Sequence, residues 1–274
     1  MDLPGRHLLH AHHDGAHVAA ALEGGHLVSW RPASGGEALY LRPLAADYPG
    51  RPIRGGVPVI FPQFADLGPL SKHGFARTAM WRRAVPGTGE ALALEVTDTD
   101  GTRAVWPHPF RLTLGIALGG DRLRLALRVQ NTGDAPFLFT AALHTYLRVA
   151  DAERVSVEGL SGVGYRDKTA GDRPAVRSGP LRVSGEMDSV YDEAPDRVVV
   201  RDEAGGRLFD VEKSGFADVV VWNPWAEGAA GMADLPDDGY RQMLCVEAAQ
   251  VARPVRLAPG DRWEGAQTLT LRTL

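Results

Sequence analysis

Two kinds of chemistry are open to the side chains of this sequence: proton transfer and the binding of an anion. The proton-transfer candidates are His144 in His144-Thr145-Tyr146, Glu247 in Cys245-Val246-Glu247 and Asp188 in Met187-Asp188-Ser189-Val190-Tyr191. An imidazole at its ordinary pKa of ~6.5 gives or takes a proton near neutral pH, and an ionised carboxylate accepts one. The cationic candidates are Arg54, Lys72 and Arg77. Guanidinium forks match phosphate oxygens, each charge-assisted bond being worth ~1.5–3 kcal/mol, and a lysine adds a point charge. Arg54 begins the run Arg54-Gly55-Gly56-Val57-Pro58-Val59-Ile60-Phe61-Pro62. There the paired glycines permit positive φ or close backbone approach, and the prolines fix the path. His73 stands between Lys72 and Arg77 in Ser71-Lys72-His73-Gly74-Phe75-Ala76-Arg77.

A proton-transfer group needs a rigid support. Alternation over 137–149 predicts a strand with Phe137, Phe139, Ala141, Leu143, Leu147 and Val149 on one face and Thr145 as its polar exception. The other face carries Leu138, Thr140, Ala142, His144, Tyr146 and Arg148, so His144 projects onto a mostly polar surface. Leu112, Leu114, Ile116 and Leu118, then Gly119-Gly120-Asp121, then Leu123, Leu125, Leu127 and Val129 read as a β-hairpin with an arginine-bearing face toward solvent. Weaker strand runs fall at 16–22, 26–31, 90–97, 196–201, 207–212, 218–222, 242–249 and 262–272, with long loops expected at 161–180 and 223–241. Many short strands joined by turns predict an all-β antiparallel sandwich.

Composition agrees and excludes other classes. The chain has 274 residues, 44% hydrophobic and 23% charged, which is too apolar for disorder. Its 32 glycines and 19 prolines argue against long helices. Composition shifts nowhere enough to mark a boundary, so 1–274 is expected to be one domain. A net charge of −4 gives no basic field for nucleic acid or an anionic membrane. No apolar run is long enough to span a bilayer, the first fifteen residues lack the apolar centre of a signal peptide, and the single Cys245 has no internal partner. A cytoplasmic protein, monomeric and acting on a small molecule, is the expectation.

Taken singly, each candidate has an ordinary structural reading. His144 reads as a core histidine held by a carbonyl, Glu247 as an ion-pair partner, Arg54 and Arg77 as surface arginines, Asp188 as a turn or capping residue. Trp222 and Trp225, flanking Asn223-Pro224, read as core packing around a turn rather than a sugar-stacking platform, and Cys245 as a small buried hydrophobe. His7, His10, His12, His13 and His17 fit alternating strand positions and lack the cysteines or paired carboxylates of a metal site, so no metal is expected.

The segments IRGGVPVIFPQF, KHGFAR, LHTYLRV, GLSGVGYRDK, DSVYDEAPD, VVWNPWAEGAAGMAD and CVEAAQV occur in this order over nearly the whole chain. Together they resemble the hexose-6-phosphate mutarotase (glucose-6-phosphate 1-epimerase) branch of the aldose 1-epimerase superfamily. The resemblance implies a large antiparallel β-sandwich of the galactose-mutarotase type. It implies interconversion of the α and β anomers of a hexose 6-phosphate by ring opening and reclosure, with neither metal nor redox cofactor. His144 matches the family's acid and Glu247 its base. Arg54, Arg77 and Asp188 match substrate-binding positions, and His73 lies beside the binding loop. Lys72 stands where the family usually has Gln, and EAAQV replaces the more common EPG after the base.

Other functions use the same residues differently. An aldose 1-epimerase for free sugars would leave three cations around a neutral ligand. A glycoside hydrolase would use two carboxylates about 5–10 Å apart, for which Asp188 and Glu247 are the candidates. A non-catalytic carbohydrate-binding module would need no acid–base pair. A fold alone does not choose among these.

Overall fold

The computed structural model describes residue 3 and residues 5–43 and 52–274. The described residues form β1 (Leu8–His13), β2 (Ala16–Ala21), β3 (His26–Arg31), β4 (Val59–Ile60), β5 (Arg82–Ala84), β6 (Leu92–Thr97), β7 (Phe110–Gly119) and β8 (Arg122–Asn131). There follow β9 (Phe137–Leu143), β10 (Tyr146–Arg148), β11 (Val155–Glu158), β12 (Gly164–Asp167), β13 (Arg173–Val176) and β14 (Leu181–Arg182). The last are β15 (Met187–Tyr191), β16 (Arg197–Asp202), β17 (Arg207–Ser214), β18 (Asp218–Asn223), β19 (Met243–Leu257) and β20 (Arg262–Thr273). Two six-residue α-helices, α1 (Asp100–Val105) and α2 (Trp225–Ala230), interrupt them. No helix among the described residues is long and apolar enough to cross a membrane.

The strands make the expected antiparallel sandwich. A nine-stranded sheet runs β14-β11-β16-β17-β20-β8-β7-β6-β5, and an eight-stranded sheet runs β13-β12-β15-β18-β19-β9-β4 with β10 also on β19. β1–β3 form a separate three-stranded sheet. The predicted hairpin is β7–β8, in register from Phe110↔Asn131 to Gly119↔Arg122. Its Leu112, Leu114, Leu125 and Leu127 are wholly buried and share one core with Leu143, Val221, Val246 and Ala248 of the eight-stranded sheet. Each such leucine contributes about 1.5–3 kcal/mol relative to an exposed one. On the opposite face of the hairpin Arg124 and Arg128 pair with Glu264 of the neighbouring β20.

Three segments differ from the sequence reading. The stretch 161–180 is not a loop: β12 and β13 pair across a turn closed by Gly171 at φ 74°. β12 also pairs with β15, a tertiary contact that composition does not announce. The stretch 223–241 carries α2 and the start of a 3-10 turn. Finally, the strand expected over 137–149 breaks at His144-Thr145, where His144 N–H donates to Pro58 O at 3.0 Å and Tyr146 N–H to Gly56 O at 2.9 Å. In the β1–β2 hairpin, His12 faces His17 in register, and the rings of His10 and His12 both lie against His17, as alternating strand positions require.

Candidate active site

Strand register assembles the site. Leu143 pairs with Ala248 and Tyr146 with Cys245, and both pairings keep one register across the break. His144 is therefore placed opposite Glu247. Cys245 pairs onward with Trp222 and Trp222 with Asp188, so Tyr146, Cys245, Trp222 and Asp188 form one cross-strand row. His144, Glu247, Val220 and Val190 form the next row, two residues along and hence on the same face. That face points away from the inter-sheet core, and segments 52–77, 168–188 and 232–234 fold over it to enclose a cavity of about 650 Å³.

All the residues singled out from the sequence line this cavity: His144, Glu247, Arg54, Lys72, His73, Arg77 and Asp188. His144 Nδ1 lies 3.4 Å from Glu247 Oε1, while neither Nδ1 nor Glu247 Oε2 has a hydrogen-bond partner. Glu247 is 1% exposed and His144 8%, so neither charge is well solvated. Burial lowers the His144 pKa well below the ordinary imidazole value, and the neighbouring His73 ring and the charges of Arg54 and Arg77 lower it further. Burial raises the Glu247 pKa well above the usual carboxylate range, and the Asp188 charge adds to it. The expectation of an ordinary imidazole beside an ordinary carboxylate is thus corrected. Both shifts favour the uncharged forms, a neutral His144 beside a protonated Glu247.

The rings around this pair restrict it. Tyr146 stacks on His144 with centroids 4.8 Å apart and planes at 10°, and Trp222 meets His144 edge-on at 5.9 Å. Trp222 lines the cavity and also packs against the cluster of Tyr146, Tyr240 and Cys245, so the core-packing reading holds only in part; Trp225 packs inward, against Tyr240. Beneath the pair, Thr145 Oγ1 bonds Gln267 Oε1, and Gln267 Nε2 donates to Val246 O at 3.0 Å, tying the two strands to β20.

His73 reaches the site at a conformational cost. Its φ is 68°, a left-handed value that costs a non-glycine residue about 1–3 kcal/mol. Two hydrogen bonds hold it there: His73 N–H to Ala65 O at 3.0 Å, and Ala65 N–H to His73 Nδ1 at 3.2 Å. Because a backbone N–H only donates, Nδ1 is the acceptor and Nε2 carries the proton. Burial and the charges of Arg77 and Lys72 lower its pKa to about 3, so the ring stays neutral.

The cations differ in how they are already engaged. Arg54 donates from Nε and Nη2 to Asp234 at 3.0–3.2 Å and from Nη1 to Tyr146 Oη at 2.9 Å. Its glycines serve the predicted purpose: Gly55 and Gly56 have φ of 105° and 61°, and a Cβ would meet Tyr40 O at 2.4 Å and Leu27 O at 2.2 Å. His26 Nε2 donates to Gly55 O at 2.7 Å, fixing the same turn from below. Arg77 uses Nη2 on Lys72 O at 2.7 Å, but its buried Nε has no partner. Lys72 is exposed at the rim, and Lys168, on the turn after β12, pairs with Asp172 at 3.3 Å. Burial raises the Asp188 pKa, opposed by Lys168 and Lys72. Tyr146, Trp222, Lys168 and Asp234 were not among the candidates from sequence. Lys168 and Asp234 stand in the motifs GLSGVGYRDK and VVWNPWAEGAAGMAD, the only sequence signal that marks them.

Comparison with known proteins identifies the family. The family model described as aldose 1-epimerase matches residues 7–270. A protein of Cenchrus ciliaris with the provisional name glucose-6-phosphate 1-epimerase is 38% identical over 262 residues, 91% of this chain and 79% of that protein. One from Escherichia coli K12 with the same provisional name is 36% identical over 243 residues, 86% of this chain and 81% of the relative. The crystal structure of a provisionally named mutarotase from Salmonella typhimurium superposes with a TM-score of 0.91 at 30% identity, covering 100% of this chain and 92% of the other.

Proposed function

This chain belongs to the aldose 1-epimerase family, and from that premise we propose that it interconverts the α and β anomers of a hexose 6-phosphate, glucose 6-phosphate being the first candidate. What supports the reading is one cavity lined by the His144–Glu247 pair, its two groups 3.4 Å apart, and by the guanidinium groups of Arg54 and Arg77.

The chemistry follows from proton counting. Ring opening removes a proton from the anomeric hydroxyl and delivers one to the ring oxygen, and both oxygens sit on the same carbon. With Glu247 ionised and His144 protonated, Glu247 takes the first proton while His144 gives the second. The pair then holds its one proton on Glu247 instead of on His144. Rotation about C1–C2 turns the other carbonyl face toward the pair. The reverse transfer closes the ring as the opposite anomer. The zwitterion, the tautomer that burial disfavours, is thus the form that reacts with the closed sugar, the neutral pair is left with the open one, and the net charge of the site never changes. Each positioned group supplies on the order of 10²–10⁴-fold. Asp188 and the neutral His73 Nε2–H are placed to accept from and donate to sugar hydroxyls, Trp222 offers an apolar face, and Arg77 with Lys72 anchors the phosphate.

The test compares kcat/KM for glucose 6-phosphate and glucose in a coupled anomer assay. The phosphate ester is the preferred substrate; equal values would remove the phosphate from the proposal. Release of reducing ends from a glycoside panel is expected to be nil. Sugar binding without accelerated mutarotation would favour a binding module instead.

A further inference from the structure

We infer that Asp234 is a built-in competitor for the substrate's phosphate, occupying Arg54 until the phosphate takes its place; this rests on the hexose 6-phosphate reading above. The two sides of the Arg54–Asp234 pair are held differently. The guanidinium is fixed from below by Tyr146 Oη at 2.9 Å and lies 6.0 Å from the centre of the Trp222 ring. Tyr146 is itself in register on β10 and stacked on His144, so that platform is part of the sheet. Asp234 comes instead from the turn that follows α2, lines the cavity and is 35% exposed, against 23% for Arg54.

The two arginines are electrostatic neighbours, since Arg77 feels the charges of both Arg54 and Asp234. Arg77 makes one side-chain bond among the described residues, Nη2 to Lys72 O, whereas Arg54 has Nε and Nη2 committed to a carboxylate. A phosphate dianion entering between them meets attraction from Arg77 and repulsion from Asp234. Carboxylate and phosphate oxygens compete for the same donor edge of a guanidinium. The dianion gains Arg54 only by displacing Asp234 toward solvent, and its departure lets Asp234 return.

The consequence is a weakened but rapidly reversible grip on anions. Two unopposed arginines would also hold free inorganic phosphate, which carries the same oxygens. Binding that holds substrate and transition state equally tightly lowers KM without raising kcat, and gives no rate once the substrate saturates the site. A neutral hexose makes no demand on the donor edge of Arg54, so Asp234 leaves its binding unaltered.

The test is calorimetric titration of inorganic phosphate and of glucose 6-phosphate into the full-length protein, its Asp234→Asn variant and its Asp234→Ala variant. Removing the carboxylate charge is expected to tighten both anions about tenfold and lower the KM for glucose 6-phosphate in step. Glucose serves as the neutral control. Weaker anion binding in both variants, or binding unchanged from the parent, would overturn the inference and make Asp234 a positioning residue for Arg54 or a reader of sugar hydroxyls. The Ala variant separates loss of charge from any new bond made by the Asn amide. Inorganic phosphate reports on Asp234 without any turnover. A parent protein that binds phosphate competitively yet fails to accelerate glucose 6-phosphate mutarotation therefore defeats the functional proposal and not this one.

Discussion

His144 Nδ1 stands 3.4 Å from Glu247 Oε1 across two adjacent strands whose register is the same on either side of them. At that distance, and nearly excluded from water, neither group titrates alone. A lone imidazolium or a lone carboxylate in this position would be an unpaired buried charge, which costs several kcal/mol. The shifts of both groups favour their uncharged forms, which avoid that cost.

Single substitutions should therefore remove most of what the pair does. His144→Gln and Glu247→Gln are each expected to lower kcat on the order of 10²–10⁴-fold with little change in KM. Because the two act as one unit, the double variant should lose scarcely more than either single one. Losses that multiply would mean that His144 and Glu247 work independently, and near-parent turnover in His144→Gln would remove the imidazole from the mechanism.

The pH dependence of kcat should carry the same signature. Burial lowers the His144 pKa and raises that of Glu247, so across the interval between their two titrations the pair keeps one proton. At saturating glucose 6-phosphate, kcat is expected to stay level across the ordinary imidazole value of ~6.5. An independent imidazolium acid would instead lose about tenfold per unit above that value. A kcat profile with that slope would show that the proton is not shared.

Arg77 should matter to the phosphate and not to the sugar. Its buried Nε lacks a partner, whereas Arg54 is already compensated by Asp234. Arg77→Ala is expected to raise the KM for glucose 6-phosphate by roughly 10–150-fold, the worth of a charge-assisted bond. The KM for glucose should move little. A similar rise for both substrates would place Arg77 on the sugar hydroxyls. Arg54→Ala should also act mainly on KM, by less, because Asp234 opposes its contribution.

Much of this was legible in the residues, and the failures have physical causes. Alternation gave the β7–β8 hairpin and the correct face for His144, because one face of each sheet is committed to a single core. The pair Gly55-Gly56 announced a tight backbone approach that the collisions at Tyr40 and Leu27 bear out. The break at His144-Thr145 left one trace, the polar exception Thr145, but alternation resumes at Leu147 and Val149 and so conceals it. What interrupts the strand is the crossing segment that offers Pro58 O and Gly56 O. The second role of Trp222, lining the cavity, was hidden because alternation says which side chains share a face, not which face a cavity covers. Asp234 was out of reach because its partner Arg54 lies 180 positions away. The altered proton affinities of His144 and Glu247 come from burial, which one-dimensional spacing does not measure.

The turn that carries Arg54 should make the fold sensitive to acid through His26. That ring is wholly buried, donates from Nε2 to Gly55 O at 2.7 Å, and has its pKa lowered to about 4, first by burial and then by nearby Arg6 and Arg77. In the unfolded chain the same imidazole titrates near ~6.5. Between these values the unfolded state binds more protons than the folded one, so stability rises with pH there and falls as pH drops through the window. The contribution is fully present above about pH 6.5, and no further loss comes from His26 once the folded ring itself protonates near pH 4. From about pH 7.5 to 5, linkage assigns this one residue a loss of about 2 kcal/mol. Urea unfolding of the parent and of His26→Asn at both pH values reads it directly. The variant should be less stable at the higher pH, having lost packing, yet give up about 2 kcal/mol less on acidification. Equal losses for the two proteins would mean that His26 is not held neutral beneath the Arg54 turn, and that the acid sensitivity of the fold belongs to other groups.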